Sequence, residues 1–77
     1  MREEILTFLL QNCAEVFNAT NLTTATSFSD LGATSVQMVQ LATAMENEYD
    51  VEVPFMDFIR QSNIGNAVDY LVSLLED

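Results

Sequence analysis

Histidine and tryptophan are missing from this 77-residue chain, and cysteine, proline, glycine and the basic residues are scarce. Without histidine there is no ordinary general base near neutral pH and no imidazole to hold zinc. Cys13 stands alone, which excludes an internal disulfide, a CxxC pair and iron–sulfur spacing. Set among Leu9, Leu10, Val16 and Phe17, it reads as a packed thiol rather than a reactive one. Arg2 and Arg60 are the only cations against twelve acids, for a formal charge of −10. Nucleic acid and anionic membrane surfaces repel such a chain, so neither is expected as a partner, whereas basic protein rims attract it. With so little positive charge the folded state should repel itself, and salt should raise its melting temperature. No apolar run approaches membrane-spanning length, and Met1-Arg2-Glu3-Glu4 is acidic where a signal peptide is basic, which points to a cytoplasmic protein. The sequons Asn18-Ala19-Thr20 and Asn21-Leu22-Thr23 then read as polar loop.

What remains is 49% apolar, too hydrophobic for disorder despite the charge. Residues 1–77 are expected to form one small monomeric domain, near the lower size limit for a self-sufficient core. Ile5, Leu6, Leu9, Leu10, Cys13, Val16 and Phe17 recur at three- and four-residue spacings, which predicts an amphipathic helix over Glu3–Phe17. Glu3 and Glu4 stand at its positive end. Asn18–Ser29 has no stripe and reads as a long ordered loop pinned by Leu22 and Phe28, with a short helical turn over Ser27–Leu31. A second helix is predicted from Ser35 to Tyr49, its stripe being Met38, Leu41, Ala42, Met45 and Tyr49. Asp50–Pro54 alternates and reads as extended. Phe55, Phe58 and Ile59 mark a short helix ending near Arg60 or Gln61, with Pro54 suited to its first turn. Ser62 or Asn63 caps a last helix carrying Ile64, Ala67, Val68, Leu71, Val72 and Leu75, with Gly65 in its first turn. The pattern is all-α: a four-helix bundle with a long first loop and a short third helix.

The densest local signal is Asp30-Leu31-Gly32-Ala33-Thr34-Ser35-Val36. Gly32 permits a turn at a φ that side chains resist. Thr34 is a good N-cap, and Gln37 three residues on completes a capping box. Ser35 then falls in the first helical turn, among unpaired N–H groups at the positive end of the macrodipole, where an anion attached to its oxygen is favoured. Val36, Val39 and Thr43 lie beside the core stripe, with Glu46 and Glu48 further along. They form either a small docking patch or the edge of a wide buried stripe. Serine chemistry needs a positioned base, and Asp30 or Glu46 is a weak one unless buried. A core this small leaves little room for a substrate cavity of a few hundred cubic ångströms. Asp50/Glu52 and Glu76/Asp77 read as solvated charge, with no EF-hand loop or HExxH to hold a metal. The chain is not expected to be an enzyme; its hydroxyl is better read as a handle that another enzyme modifies.

Phe28-x-Asp30-Leu31-Gly32-Ala33-x-Ser35, Val39, Leu41 and Ala44-Met45-Glu46-x-Glu48-Tyr49 stand in an order and spacing that continue through Val51-Glu52-Val53-Pro54 and Ile64-x-x-Ala67-Val68-Asp69-Tyr70-Leu71. Over nearly its whole length the chain resembles the acyl carrier and peptidyl carrier proteins. The resemblance implies that Ser35 receives a 4′-phosphopantetheine arm from a phosphopantetheinyl transferase using coenzyme A and Mg²⁺. It implies that Asp30, Gly32 and Thr34 belong to the same attachment site. The arm's thiol would carry thioester-bound acyl or aminoacyl groups between partners: a loading enzyme, and a ketosynthase, acyltransferase or condensation enzyme. These would dock on the second helix at Val36, Val39, Gln40, Thr43 and Glu46.

Three departures refine this expectation. Thr34 and Val36 flank the serine where the common motif has Asp and Leu or Ile, so no carboxylate stands there for the transferase's Mg²⁺. Gln37 and Gln40 replace acids frequent in fatty-acid carriers. Val53-Pro54-Phe55-Met56-Asp57-Phe58 is similar to carriers of assembly lines. The expectation is a discrete carrier in polyketide or non-ribosomal peptide biosynthesis, with a type II fatty-acid carrier as the alternative. Further rivals are an unmodified helical interaction module and a carrier fold that is never charged.

Overall fold

The periodic segments become α1 (Arg2–Phe17), α2 (Ser35–Tyr49), α3 (Phe55–Phe58) and α4 (Ile64–Leu75). The computed structural model describes residues 2–76, and among the described residues there is no strand. Helix α1 packs against both α4 and α2, and α3 lies on α2. This is the expected all-α arrangement of four helices. No helix of the described residues is long and apolar enough to cross a membrane.

Each long helix buries one stripe, because side chains three and four apart share a face. From α1 come Ile5, Leu9 and Cys13; from α2 Met38, Leu41, Ala42 and Met45; from α4 Ile64, Ala67, Val68 and Leu71. Phe28, Val53 and Phe58 complete the core, and among the described residues no polar or charged side chain is buried. Tyr49 is half-buried, and its ring meets Phe8 edge to face, with centroids 5.8 Å apart at 82°. Arg2 pairs with Asp69 at 3.2 Å across α1 and α4, but both are well exposed, so the pair adds little stability.

The long first connection is held more firmly than its composition suggests. Asn18 ends α1 at φ 50°, a left-handed conformation that asparagine tolerates, and Ala19 N donates to Ala14 O at 3.2 Å. Leu22 and Phe28 pack on the core as expected. Backbone bonds to the start of α4 do the rest: Phe28 N to Ser62 O (3.1 Å), Ile64 N to Thr26 O (3.0 Å) and Gly65 N to Thr24 O (2.9 Å). The first two form an isolated antiparallel bridge between Ser27 and Asn63. Gly65 suits this approach, since a Cβ there would lie 3.0 Å from Thr24 O and 3.1 Å from Thr24 Cβ, and the loop would have to give by a few tenths of an ångström to admit it.

Two boundaries differ from expectation. The α-helical part of α3 stops at Phe58, and 3₁₀-type bonds from Arg60 N to Asp57 O and from Gln61 N to Phe58 O tighten the chain beyond it. Pro54 stands at the N-cap rather than inside that helix. Of the two residues expected to cap α4, Asn63 does so, its Oδ1 accepting from Asn66 N at 2.8 Å. Ser62 Oγ instead accepts from Asn66 Nδ2 at 2.9 Å.

Candidate functional site

The turn before α2 is built from both ends. Ser27 Oγ accepts from Asp30 N at 3.1 Å, and Leu31 N reaches Ser27 O at 3.3 Å, giving the expected helical turn in its shortest form. Gly32, at φ 67°, stops it: Ala33 N donates to Phe28 O and Gly32 N to Ser29 O, both at 3.1 Å. This is the Schellman closure, in which the left-handed residue is best a glycine. Thr34 then starts α2 with the predicted capping box. Gln37 N donates to Thr34 Oγ1 at 3.2 Å, and Thr34 N donates to Gln37 Oε1 at 2.9 Å.

This frame leaves Ser35 exposed in the first turn of α2. The amides of Ser35 and Val36 have no protein hydrogen-bond partner among the described residues, so two donors remain open at the positive helix end. The serine hydroxyls differ in the same way. Ser27 and Ser29 share a bond at 3.3 Å, Ser62 holds Asn66, and Ser73 donates to Tyr70 O at 2.6 Å. Among the described residues the Ser35 hydroxyl has no protein partner.

Beside Ser35 lies an open cleft of about 430 Å³ between the Ser27–Ser29 turn, the start of α2 and the connection from α3 to α4. Phe28, Met38 and Ile59 give it apolar walls, and Thr34, Ser62 and Arg60 add polar ones. The expectation that so small a core leaves little room for a substrate cavity concerned the interior, and this space lies outside it. The space is a surface groove between elements, so core volume does not limit it. Gly32 and Asp30 shape the turn but do not line the groove.

On the outer face of α2, Val36 is 67% and Val39 44% exposed, which removes the reading of both as the edge of a buried stripe. Gln40 and Thr43 are exposed beside them, and Met56 on α3 is 63% exposed. Glu46, expected among the docking residues, also has an internal bond. It is half-buried, and its Oε2 accepts from Val53 N at 2.8 Å, a donor that the extended 51–54 segment pairs with no strand. Gln37 also carries more than a cap, its Nε2 donating to Val16 O at 3.4 Å and so joining α2 to the end of α1. Cys13 is fully buried, and burial pushes its thiol up to about 12. Arg60 was not singled out from the sequence, although its rarity as a cation was the available signal.

Comparison with known proteins converges on one family. The family model described as a phosphopantetheine attachment site matches residues 7–71. An acyl carrier protein of Clostridium acetobutylicum is 36% identical over 61 residues, covering 78% of this chain and 79% of that protein. An acyl carrier protein of Chlorobium phaeobacteroides is 44% identical over 43 residues, covering 56% of this chain and 55% of its own length. Among solved structures, a type-II acyl carrier protein from Streptomyces verticillus involved in bleomycin biosynthesis shares the fold. Its TM-score is 0.87 at 16% identity, over 96% of this chain and 89% of that one. A helical bundle that offers a free serine hydroxyl at a helix start, matched over most of its length by these proteins, belongs to the phosphopantetheine-attachment family of acyl carrier proteins.

Proposed function

We propose that Ser35 bears the 4′-phosphopantetheine arm, and that residues 1–77 act as one carrier domain in polyketide or non-ribosomal peptide biosynthesis. Family membership implies a covalently attached arm and a non-catalytic chain that works with a phosphopantetheinyl transferase and biosynthetic enzymes. The observation that carries Ser35 is its hydroxyl, exposed beside two unpaired amides while the other four serines are engaged in hydrogen bonds. Those residues fit a phosphodiester, which is favoured at a helix N-terminus. The arm, once attached, supplies a terminal thiol for thioesters. The protein's own part is to hold the turn rigid through Gly32 and the Thr34–Gln37 box, and to keep the hydroxyl clear of internal partners. Val36, Val39, Gln40 and Thr43 offer partners a nearly uncharged face beside the arm.

Assembly-line service is supported by that uncharged face. Gln37 is spent on internal bonds and Glu46 on Val53, so fatty-acid partners that read acids near the arm find few there. The Streptomyces verticillus carrier of bleomycin biosynthesis supports the fold of such a carrier. Intact mass after incubation with coenzyme A, Mg²⁺ and a promiscuous transferase tests the attachment. One arm is expected on the wild type and on Ser29→Ala, and none on Ser35→Ala. An unmodified wild type, or an arm on Ser35→Ala, refutes the assignment. An adenylating enzyme or assembly-line ketosynthase encoded beside this chain supports the pathway reading; a surrounding set of fatty-acid synthesis genes overturns it.

A further inference from the structure

Arg60 lines the cleft beside Ser35, and the carrier reading leaves its guanidinium without a task. Of the two cations in a chain of charge −10, Arg2 is paired with Asp69. Among the described residues Arg60 makes no ion pair. Its neighbour one helical turn back, Asp57, makes no ion pair with it among the described residues. Burial, then the nearby charge of Asp57, raises the Tyr70 phenol above its ordinary value. Twelve acids are available, yet the fold sets this cation in the groove of the proposed attachment hydroxyl.

We infer that Arg60 pairs with the phosphodiester of the arm, an inference that rests on Ser35 being the attachment site. A phosphodiester formed on Ser35 Oγ is fixed to an atom of a residue lining the groove, so it stays at the groove that Arg60 also lines. A carboxylate on the cargo is tethered through the whole arm and reaches the same place only by doubling back. Guanidinium presents its donors in a planar fork suited to phosphate oxygens, and it stays charged at every working pH. The surrounding acidity strengthens the case. An added phosphodiester is repelled by the acidic body of the protein, and among the described residues Arg60 is the basic side chain lining the groove that offsets this.

The experiment compares unmodified and arm-bearing forms of the wild type, Arg60→Gln, Arg60→Lys and Arg2→Gln, with attachment driven to completion and verified by intact mass. At low salt, attachment is expected to raise the melting temperature of the wild type by about 2–5 °C more than that of Arg60→Gln. Arg60→Lys should retain part of the difference, Arg2→Gln all of it, and high salt should shrink it. The Arg60 side-chain Nε–Hε NMR resonance should move on attachment while that of Arg2 does not. Equal thermal shifts in the wild type and Arg60→Gln overturn the inference, as does an equal loss in Arg2→Gln or an unmoved Arg60 resonance. A resonance that moves only with a malonyl cargo, and not with the bare or acetylated arm, assigns the pairing to cargo and also overturns it. If the wild type gains no arm, the attachment reading falls and takes this inference with it. A full gain without any Arg60 response sinks this inference alone.

Discussion

Replacing Gln37 by glutamate tests how the end that presents Ser35 is held. In an isolated helix an acid three residues after the cap is favourable by about 0.3–1 kcal/mol, because it meets the positive end of the macrodipole. In this protein the same side chain bridges two helices. Oε1 accepts from Thr34 N, and Nε2 donates to Val16 O in the last turn of α1. A carboxylate keeps the first bond, loses the second, and brings its charge to the negative end of α1 as well as to the positive end of α2. Those two dipole effects are of similar size and opposite sign. What remains is the lost donor and a crowded pair of acceptors, about 1 kcal/mol. The variant should therefore be less stable at neutral pH by about 1 kcal/mol, or roughly 4–8 °C in melting temperature for a domain of this size. Gln37→Ala, which forfeits both bonds, should lose about 1–2 kcal/mol. Acidification separates the two variants. The carbonyl and the acidic surroundings raise the introduced group's folded pKa above its unfolded value, so the penalty is absent below the unfolded pKa. It develops as pH rises through the folded one. Urea unfolding followed by far-UV circular dichroism, at neutral pH and near pH 4, measures this directly. A Gln37→Glu protein as stable as the wild type at neutral pH would show that the link to Val16 carries no weight.

The two glycines should respond to alanine for different reasons. At Gly65 the new Cβ meets a hydrogen-bonded carbonyl 3.0 Å away, and this crowding outweighs the helix-propensity gain, for a net loss of about 1 kcal/mol and weaker protection of the 24–28 amides in hydrogen exchange. At Gly32 nothing lies within 4 Å, so only the φ of 67° is strained, costing about 1 kcal/mol without loosening that loop. Urea midpoints and exchange rates distinguish them, and a stabilised Gly65→Ala protein would show that the Thr24 loop yields and refute the crowding argument. Cys13 should resist thiol reagents in the native protein at pH 8 and react at once in urea. Its folded pKa lies above the unfolded value, so its contribution is complete below about pH 9.0 and is lost as pH rises toward about 12. Prompt labelling of the native form, or stability unchanged across that range, would refute the sealed position.

Much of the fold was legible because its causes are local. The Met38–Met45 stripe, the Thr34–Gln37 box and the glycine stop at Gly32 are each contained within a few residues, and each set its element correctly. The exposed Ser35 followed from the same short pattern. What sequence did not disclose are the bonds between segments far apart in the chain: Gln37 to Val16, Glu46 to Val53 and Gly65 to Thr24. No periodicity encodes such meetings, since they depend on how the helices come together. The groove was hidden for the same reason. Its walls come from three separate stretches, and Arg60 acquires meaning only when the turn after α3 arrives beside α2.

The edge-to-face pairing of Phe8 with Tyr49 has a spectroscopic consequence. Tryptophan is absent, so Tyr49 and Tyr70 supply the intrinsic fluorescence. Tyr49 stands fourteen residues along α2 from Ser35, about 21 Å away at the rise of an α-helix. In a Tyr70→Phe background its emission therefore follows the joining of α1 to α2 from the end remote from the proposed attachment serine, and gives through loading an internal record of whether the bundle itself stays intact.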